Sequence, residues 1–213
     1  MSAPESSALR ASAHPRPYAT LLAKGEDRKQ RILDVAQRLL ARNGWRNITL
    51  SQIAKEAGVT SAGLLHHFES KEQLLHAVLD ARDADDAEHA YQHTGDLAEA
   101  IASAAERFYR SPELVGTFAV LMAENVAADA PLHDRLVDRY RAAVEIIAER
   151  IRMGQSEGRY RQDVNPVIKA AEILAFVNGM ETSWLLDPTI PLTDVFREYS
   201  RSLASQLAPV AGS

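Results

Sequence analysis

The 213-residue chain is 46% hydrophobic, contains no cysteine and carries a formal net charge of −5 at pH 7. That composition supplies a core for one compact unit plus an appendage, and it excludes disulfides, thiolate metal sites and a cysteine nucleophile. The longest apolar runs, such as residues 118–123, are far too short to cross a bilayer, and the N-terminus lacks a continuous apolar leader, so a soluble cytoplasmic protein is expected. The charge is uneven: residues 1–80 hold 11 Lys+Arg against 8 Asp+Glu, and residues 81–213 hold 13 against 21. The first balance permits phosphate contacts without demonstrating them, and the two halves are expected to do different jobs.

In chain order, residues 1–24 are rich in Ala, Ser and Pro and show no helical stripe, which reads as a mobile arm; the sharper alternative has Arg10 and Arg16 reaching along a DNA groove. From Glu26 the pattern turns helical, with Ile32, Val35, Ala36, Leu39 and Leu40 on one stripe and Asn43-Gly44 as the stop. Thr49 caps a second, short helix with Ile53, Ala54 and Ala57 inward, ended by Gly58. A third, capped by Thr60 or Ser61, runs to about His67 and closes on Phe68. Ser70 caps the fourth, which carries Leu74, Leu75, Val78 and Leu79.

Short helices around a small core, with a tight turn at Gly58, satisfy what a helix-turn-helix needs, and periodicity alone also allows a generic helical bundle. Beyond residue 81, prolines punctuate further candidate helices at about 96–110, 112–129, 132–156, 166–186 and 193–207. The expected fold is all-α: an arm over 1–24, a helix-turn-helix unit over 25–72 with a linking helix over 71–92, and a larger C-terminal bundle over 93–213.

The run ILDVAQRLLARNGW, followed by ITLSQIAKEAGVTSAGLLHHFESKEQLLHAV, resembles the DNA-binding domain of the tetracycline-repressor family of bacterial transcription regulators. The resemblance is carried by a helix-ending NG, a Thr-initiated helix with IAxxAGV, a helix ending in HHF, and SKExLL, and it covers about a quarter of the chain. Farther on, RYRQDVNP and NGMETSWLLDP resemble one common subgroup. The resemblance implies a homodimeric repressor that inserts its third helix into successive major grooves of a palindromic, double-stranded operator and is released by a small-molecule effector, with no cofactor. By position, Thr49 and Lys71 stand at helix N-termini where the family contacts phosphates. Ser51, Ser61, Ala62, Gly63 and His66 occupy positions that face bases, with Thr60 at the head of the same segment, and His67 approaches the backbone. Leu65 stands where many members have tyrosine, so a phenolic phosphate contact is missing and its side chain is expected to pack. Without Arg, Asn or Gln on this helix, readout falls to van der Waals contacts, His66 and DNA shape.

For the C-terminal half the resemblance implies an effector pocket, assigned to Phe118, Met122, Asn125, His133, Tyr140, Val144 and Ile147, with Phe176, Met180 and Trp184 from the later helix. The apolar bias favours a hydrophobic effector over a sugar or nucleotide. A broad small-residue face of Ala170, Ala171, Leu174, Ala175, Asn178, Gly179 and Thr182, joined by Phe196, Tyr199, Leu203 and Leu207, is assigned to the subunit interface as a two-fold four-helix arrangement. The alternative reads the same face as internal core.

Two rivals remain open. His89 and His93 lie one helical turn apart, with Asp85 and Asp86 upstream, a spacing that can hold zinc in a metal-responsive regulator. His66 and His67 are adjacent and point about 100° apart, so they do not chelate from one face. The second rival is a helical protein-interaction module without DNA binding. No HExxH, GxSxG or GxxxxGK[ST] motif is present, and an enzyme is not expected.

Overall fold

The computed structural model describes residues 17–92 and 96–209, and the side chains of residues 25–84 and 96–209. Every regular element among the described residues is an α-helix: α1 (Pro17–Asn43), α2 (Leu50–Glu56), α3 (Ser61–His67), α4 (Lys71–Gln92), α5 (Leu97–Arg110), α6 (Pro112–Glu124), α7 (His133–Ser156), α8 (Pro166–Leu186) and α9 (Leu192–Leu207). No helix among the described residues is long and apolar enough to cross a membrane.

Two boundaries differ from the sequence expectation. Residues 17–24, expected as the end of an arm, form the first turns of α1. Pro17 suits the first helical position, where its fixed φ is pre-set and its missing N–H costs nothing, and the Ala and Leu residues behind it are strong helix formers. Helix α6 stops at Glu124 instead of running to 129. Asn125 ends it: its Nδ2 donates to the Leu121 carbonyl at 2.8 Å and its Oδ1 accepts from the Leu132 amide at 3.1 Å, which braces the reversal into α7.

The short helices form where their caps satisfy the free N-terminal amides. Thr49 and Gln52 make a reciprocal capping box on α2, with the Gln52 amide donating to Thr49 Oγ1 at 3.2 Å and the Thr49 amide donating to Gln52 Oε1 at 2.8 Å. Gly58, at φ +67°, makes the left-handed turn that separates α2 from α3. Seven-residue helices are too short to persist alone, so α2 and α3 are held by packing. Ile32, Ala36 and Leu40 of α1, Ile53 of α2, Leu64 of α3 and Leu74, Leu75 and Leu79 of α4 are fully buried in one cluster with Phe68. Each of the buried Leu, Ile and Phe side chains contributes about 1.5–3 kcal/mol.

That cluster does not end with α4. It continues through Phe118 and Leu121 of α6 into Leu132 and Leu136, and α1 packs along α6. The reading head and α6 therefore share one core. A second core joins α5 to α9: Phe108 meets Phe196 and Trp184 edge-on at 5.4 and 6.2 Å, with Ile151, Ile173 and Leu203 around them. Helices α7 and α8 pair beside it.

Candidate nucleic-acid interface and effector cavity

Helix α3 turns Leu64 inward and leaves Ser61, Ala62, Leu65 and His66 exposed, with Gly63 and His67 half-buried. Of the two residues able to cap it, Thr60 does so, accepting from the Gly63 amide at 3.0 Å, which leaves the Ser61 hydroxyl on the outer surface. Leu65, expected to pack, is 46% exposed. Leu64 takes the inward place one residue earlier, and on a helix adjacent residues cannot share a face. The His66 and His67 rings meet edge-on at 5.6 Å. Burial, then the charges of His66, Arg28 and Lys29, push the His67 imidazole below its ordinary value, opposed by Glu26. Ser51 is exposed at the start of α2 beside the capped Thr49.

Lys71 begins α4, behind a cap in which Ser70 Oγ accepts the Gln73 amide at 3.0 Å. Its ammonium is already engaged: Nζ donates to the Trp45 carbonyl at 2.6 Å and stands 4.1 Å from the Trp45 ring centroid. Desolvation lowers its pKa, opposed by Glu72 and Glu124. The sequence contains Trp45 and Glu124 but carries no sign that either would meet Lys71.

Helices α6 and α8 enclose an open cavity of about 370 Å³. Phe118, Ala119, Met122, Ala123 and Val126 line one wall, and Asn178, Gly179, Glu181 and Thr182 the other. Of the ten residues assigned to an effector pocket, only Phe118 and Met122 reach it. Asn125 is spent on the α6 turn, and His133 Nδ1 lies 3.2 Å from the Asn125 carbonyl. Tyr140 is exposed, Val144 packs with Ala148 and Ala170 beside Ile147, Phe176 stacks on Tyr199 at 3.6 Å, and Met180 and Trp184 belong to the α5–α9 core. Helical periodicity marks apolar faces but does not say which of them a neighbouring helix covers.

The face assigned to dimerisation divides in the same way. Phe196 and Leu203 are buried against α5 within the chain, as is Leu207, so they are core and leave nothing for a second subunit. Ala170 is also buried, and Ala171, Leu174, Asn178 and Tyr199 are half-buried. Ala175, Gly179 and Thr182 are exposed and fall on one heptad-spaced stripe that runs from Ile168 (61% exposed) to Leu186 (87%). Three residues assigned to the dimer face, Asn178, Gly179 and Thr182, thus stand on the cavity wall.

A buried ion cluster supports that wall. Glu181 and Arg82 are almost wholly buried, and Glu181 Oε1 accepts from Arg82 Nη2 at 2.6 Å and from Arg107 Nη2 at 3.4 Å, tying α8 to α4 and α5. The guanidiniums of Arg82 and Arg139 lie 4.8 and 4.4 Å from the Phe118 ring. Charged side chains are seldom buried, so the sequence pattern does not single out this group. The one signal is that Glu181 is the only charge between Glu172 and Asp187.

The proposed zinc pair lies outside the described residues, because His93 and the side chains of Asp85, Asp86 and His89 are not described, and the same holds for Arg10 and Arg16. Among the described residues no group of three or more His, Asp or Glu is placed to hold a metal ion.

A capped, exposed third helix on a compact three-helix support, followed by a helical bundle with a cavity, defines a helix-turn-helix transcription regulator. Comparison with known proteins agrees. Residues 32–78 match the family profile described as bacterial regulatory proteins, tetR family. The chain is 30% identical over 122 residues to TtgW of Pseudomonas putida, described as an uncharacterised helix-turn-helix-type transcriptional regulator, covering 54% of this chain and 87% of that one. It is 29% identical over 143 residues to the regulator SrpR of Pseudomonas putida, covering 64% of this chain and 65% of that relative's length. The structure of NalD from Pseudomonas aeruginosa superposes with a TM-score of 0.71 at 20% identity, covering 87% of this chain and 98% of that one. The chain belongs to the tetracycline-repressor family: it is a DNA-binding transcriptional regulator and not an enzyme.

Proposed function

We propose that the chain acts in the cytoplasm as a homodimeric repressor, that it reads a palindromic operator with α3, and that a small, mainly apolar effector in the α6–α8 cavity releases it. The observation that carries the reading is the outer edge of α3, where Ser61, Ala62, Leu65 and His66 stand exposed on a helix fixed from behind by Leu64 and Phe68. Small residues at its start let backbone approach base edges, so Ser61, Ala62, Gly63 and His66 take the base-facing role, with Ser51 from α2 beside them. Thr49, Thr60 and Lys71 take the phosphate role at helix N-termini, and His67, at the far end of α3, approaches the backbone through its ring. One seven-residue helix reads too little sequence alone, and the α8 stripe, heptad-spaced and apolar at both ends, supplies a face for a second copy. The domain plan follows: reading head over 25–72, linking helix over 71–92, effector and dimer unit beyond.

Fluorescence anisotropy on duplexes from the region upstream of the protein's own gene tests this. Affinity falls steeply with added salt, and Lys71→Ala weakens binding to every duplex, whereas Ser61→Ala and His66→Ala change the order of preference among duplexes, each by about 1–3 kcal/mol. A salt-independent affinity, or an equal loss on all duplexes from both classes of variant, sinks the assignment.

A further inference from the structure

Glu124 closes α6 at a point where three helix ends meet. Its Oε2 accepts the Trp45 amide at 2.7 Å, and its Oε1 stands 2.6 Å from where a Cβ on Gly44 would lie. Gly44, just past the end of α1, has φ +73°, which disfavours most other residues, and a Cβ there would push the Glu124 carboxylate aside. Trp45 is buried, and its carbonyl holds the ammonium of Lys71 at the start of α4. The ends of α1 and α6 and the beginning of α4 thus converge on one dipeptide. On either side of Glu124, Ala123 and Val126 line the α6–α8 cavity.

We propose that the Gly44–Trp45 turn is a coupling joint, through which Glu124 passes the state of the α6–α8 cavity to Lys71 and so to the DNA backbone. The inference rests on the proposed reading of that cavity as the effector site and of Lys71 as a phosphate contact. Lys71 has one ammonium and two claimants: the Trp45 carbonyl in the free chain, and a phosphate in the complex. A molecule lodged between Ala123 and Thr182 displaces the last turn of α6, and the carboxylate moves with it. The amide and carbonyl of Trp45 are separated by only two rotatable bonds, so a pull on the first shifts the second and the ammonium it holds. A carboxylate on an amide is a charge-assisted bond, which makes the link stiff. Glu124 is a positioning residue that touches neither effector nor DNA.

The cysteine-free chain makes the test clean, because Ala123→Cys places a single thiol on the exposed rim of the cavity. Alkylating it with bimane occupies the cavity without an identified effector. On an upstream duplex, labelling is expected to weaken binding about tenfold and to lower the salt slope by about one phosphate contact per subunit. Adding Glu124→Ala cuts the effect of the label to less than about twofold, whereas Glu124→Gln, which keeps an oxygen acceptor for the Trp45 amide, retains it. Adding Lys71→Met instead leaves the salt slope the same with and without label, an arm that stands even if Glu124→Ala fails to fold. If the label weakens the Glu124→Ala chain as much as its parent, or lowers the slope of the Lys71→Met chain by the same amount, the joint is overturned and the cavity reading survives. A label without effect in every chain overturns the cavity reading and the joint with it.

Discussion

His67 is the residue whose environment sets a pH dependence. In the free chain its imidazole is held below the ordinary value by partial burial and then by His66, Arg28 and Lys29. The sign for stability follows: the unfolded chain takes up this proton more readily, so the folded protein loses stability as pH falls through the histidine range. DNA acts in the opposite sense. On the proposed reading, phosphates beside His67 favour the imidazolium, so complex formation takes up a proton and affinity rises as pH is lowered from about 7.5 to about 5.5. Anisotropy titrations across that range are expected to show the rise, and His67→Gln flattens it; an unchanged profile in the variant assigns the proton elsewhere. His67 is only half-buried, so this remains an effect on affinity and not a large term in folding.

At the scale of an element, α3 is the part whose chemistry departs from its family's habit. Its cap matches the sequence expectation: Thr60, one of the two residues able to cap it, does so, because a cap acts over three residues. Leu65 is the exception, since it stands in solvent where the resemblance implied a phenol and packing was expected. Leu65→Tyr is therefore expected to raise affinity for all duplexes alike, by about 1.5–3 kcal/mol if the hydroxyl meets a phosphate oxygen. Binding curves on a specific and a random duplex check this, and a gain confined to one of them identifies a base contact instead. Helix α6 teaches the converse. Proline punctuation suggested a helix to residue 129, but the Asn125 side chain closes it five residues early, bonding the Leu121 carbonyl behind it and the Leu132 amide ahead.

At the scale of the molecule, the buried Arg82–Glu181–Arg107 group ties α4, α5 and α8 together beneath the cavity. Removing the shared carboxylate leaves two guanidiniums in the interior, and Glu181→Leu is expected to cost about 3 kcal/mol in urea unfolding, even though a buried ion pair as a whole adds little net stability. A loss below about 0.5 kcal/mol means that water reaches the group. The α8 stripe makes a separate prediction. On the proposed reading Gly179→Arg puts a long cation where two subunits meet, and sedimentation is expected to show monomer; Ala175→Arg, on the same stripe and away from the cavity wall, gives the same result. A dimer unchanged by both places the interface on another surface.

The chain's own residues determined the all-α class and the caps, because each is decided by residues at most a few positions apart: Thr49 with Gln52, Thr60 with Gly63, Gly58 in its turn; the helix-turn-helix and the outward edge of α3 were legible through the motif's resemblance to its family. The cavity walls, the coreward turn of Phe196 and Leu203, and the partners of Lys71 and Glu181 were decided only by the tertiary structure. The Lys71–Trp45, Trp45–Glu124 and Arg82–Glu181 bonds span 26, 79 and 99 residues. Pattern along a chain records which faces are apolar and which ends are capped. Which face meets which is settled by how the helices pack, and no local rule of residue type carries that information.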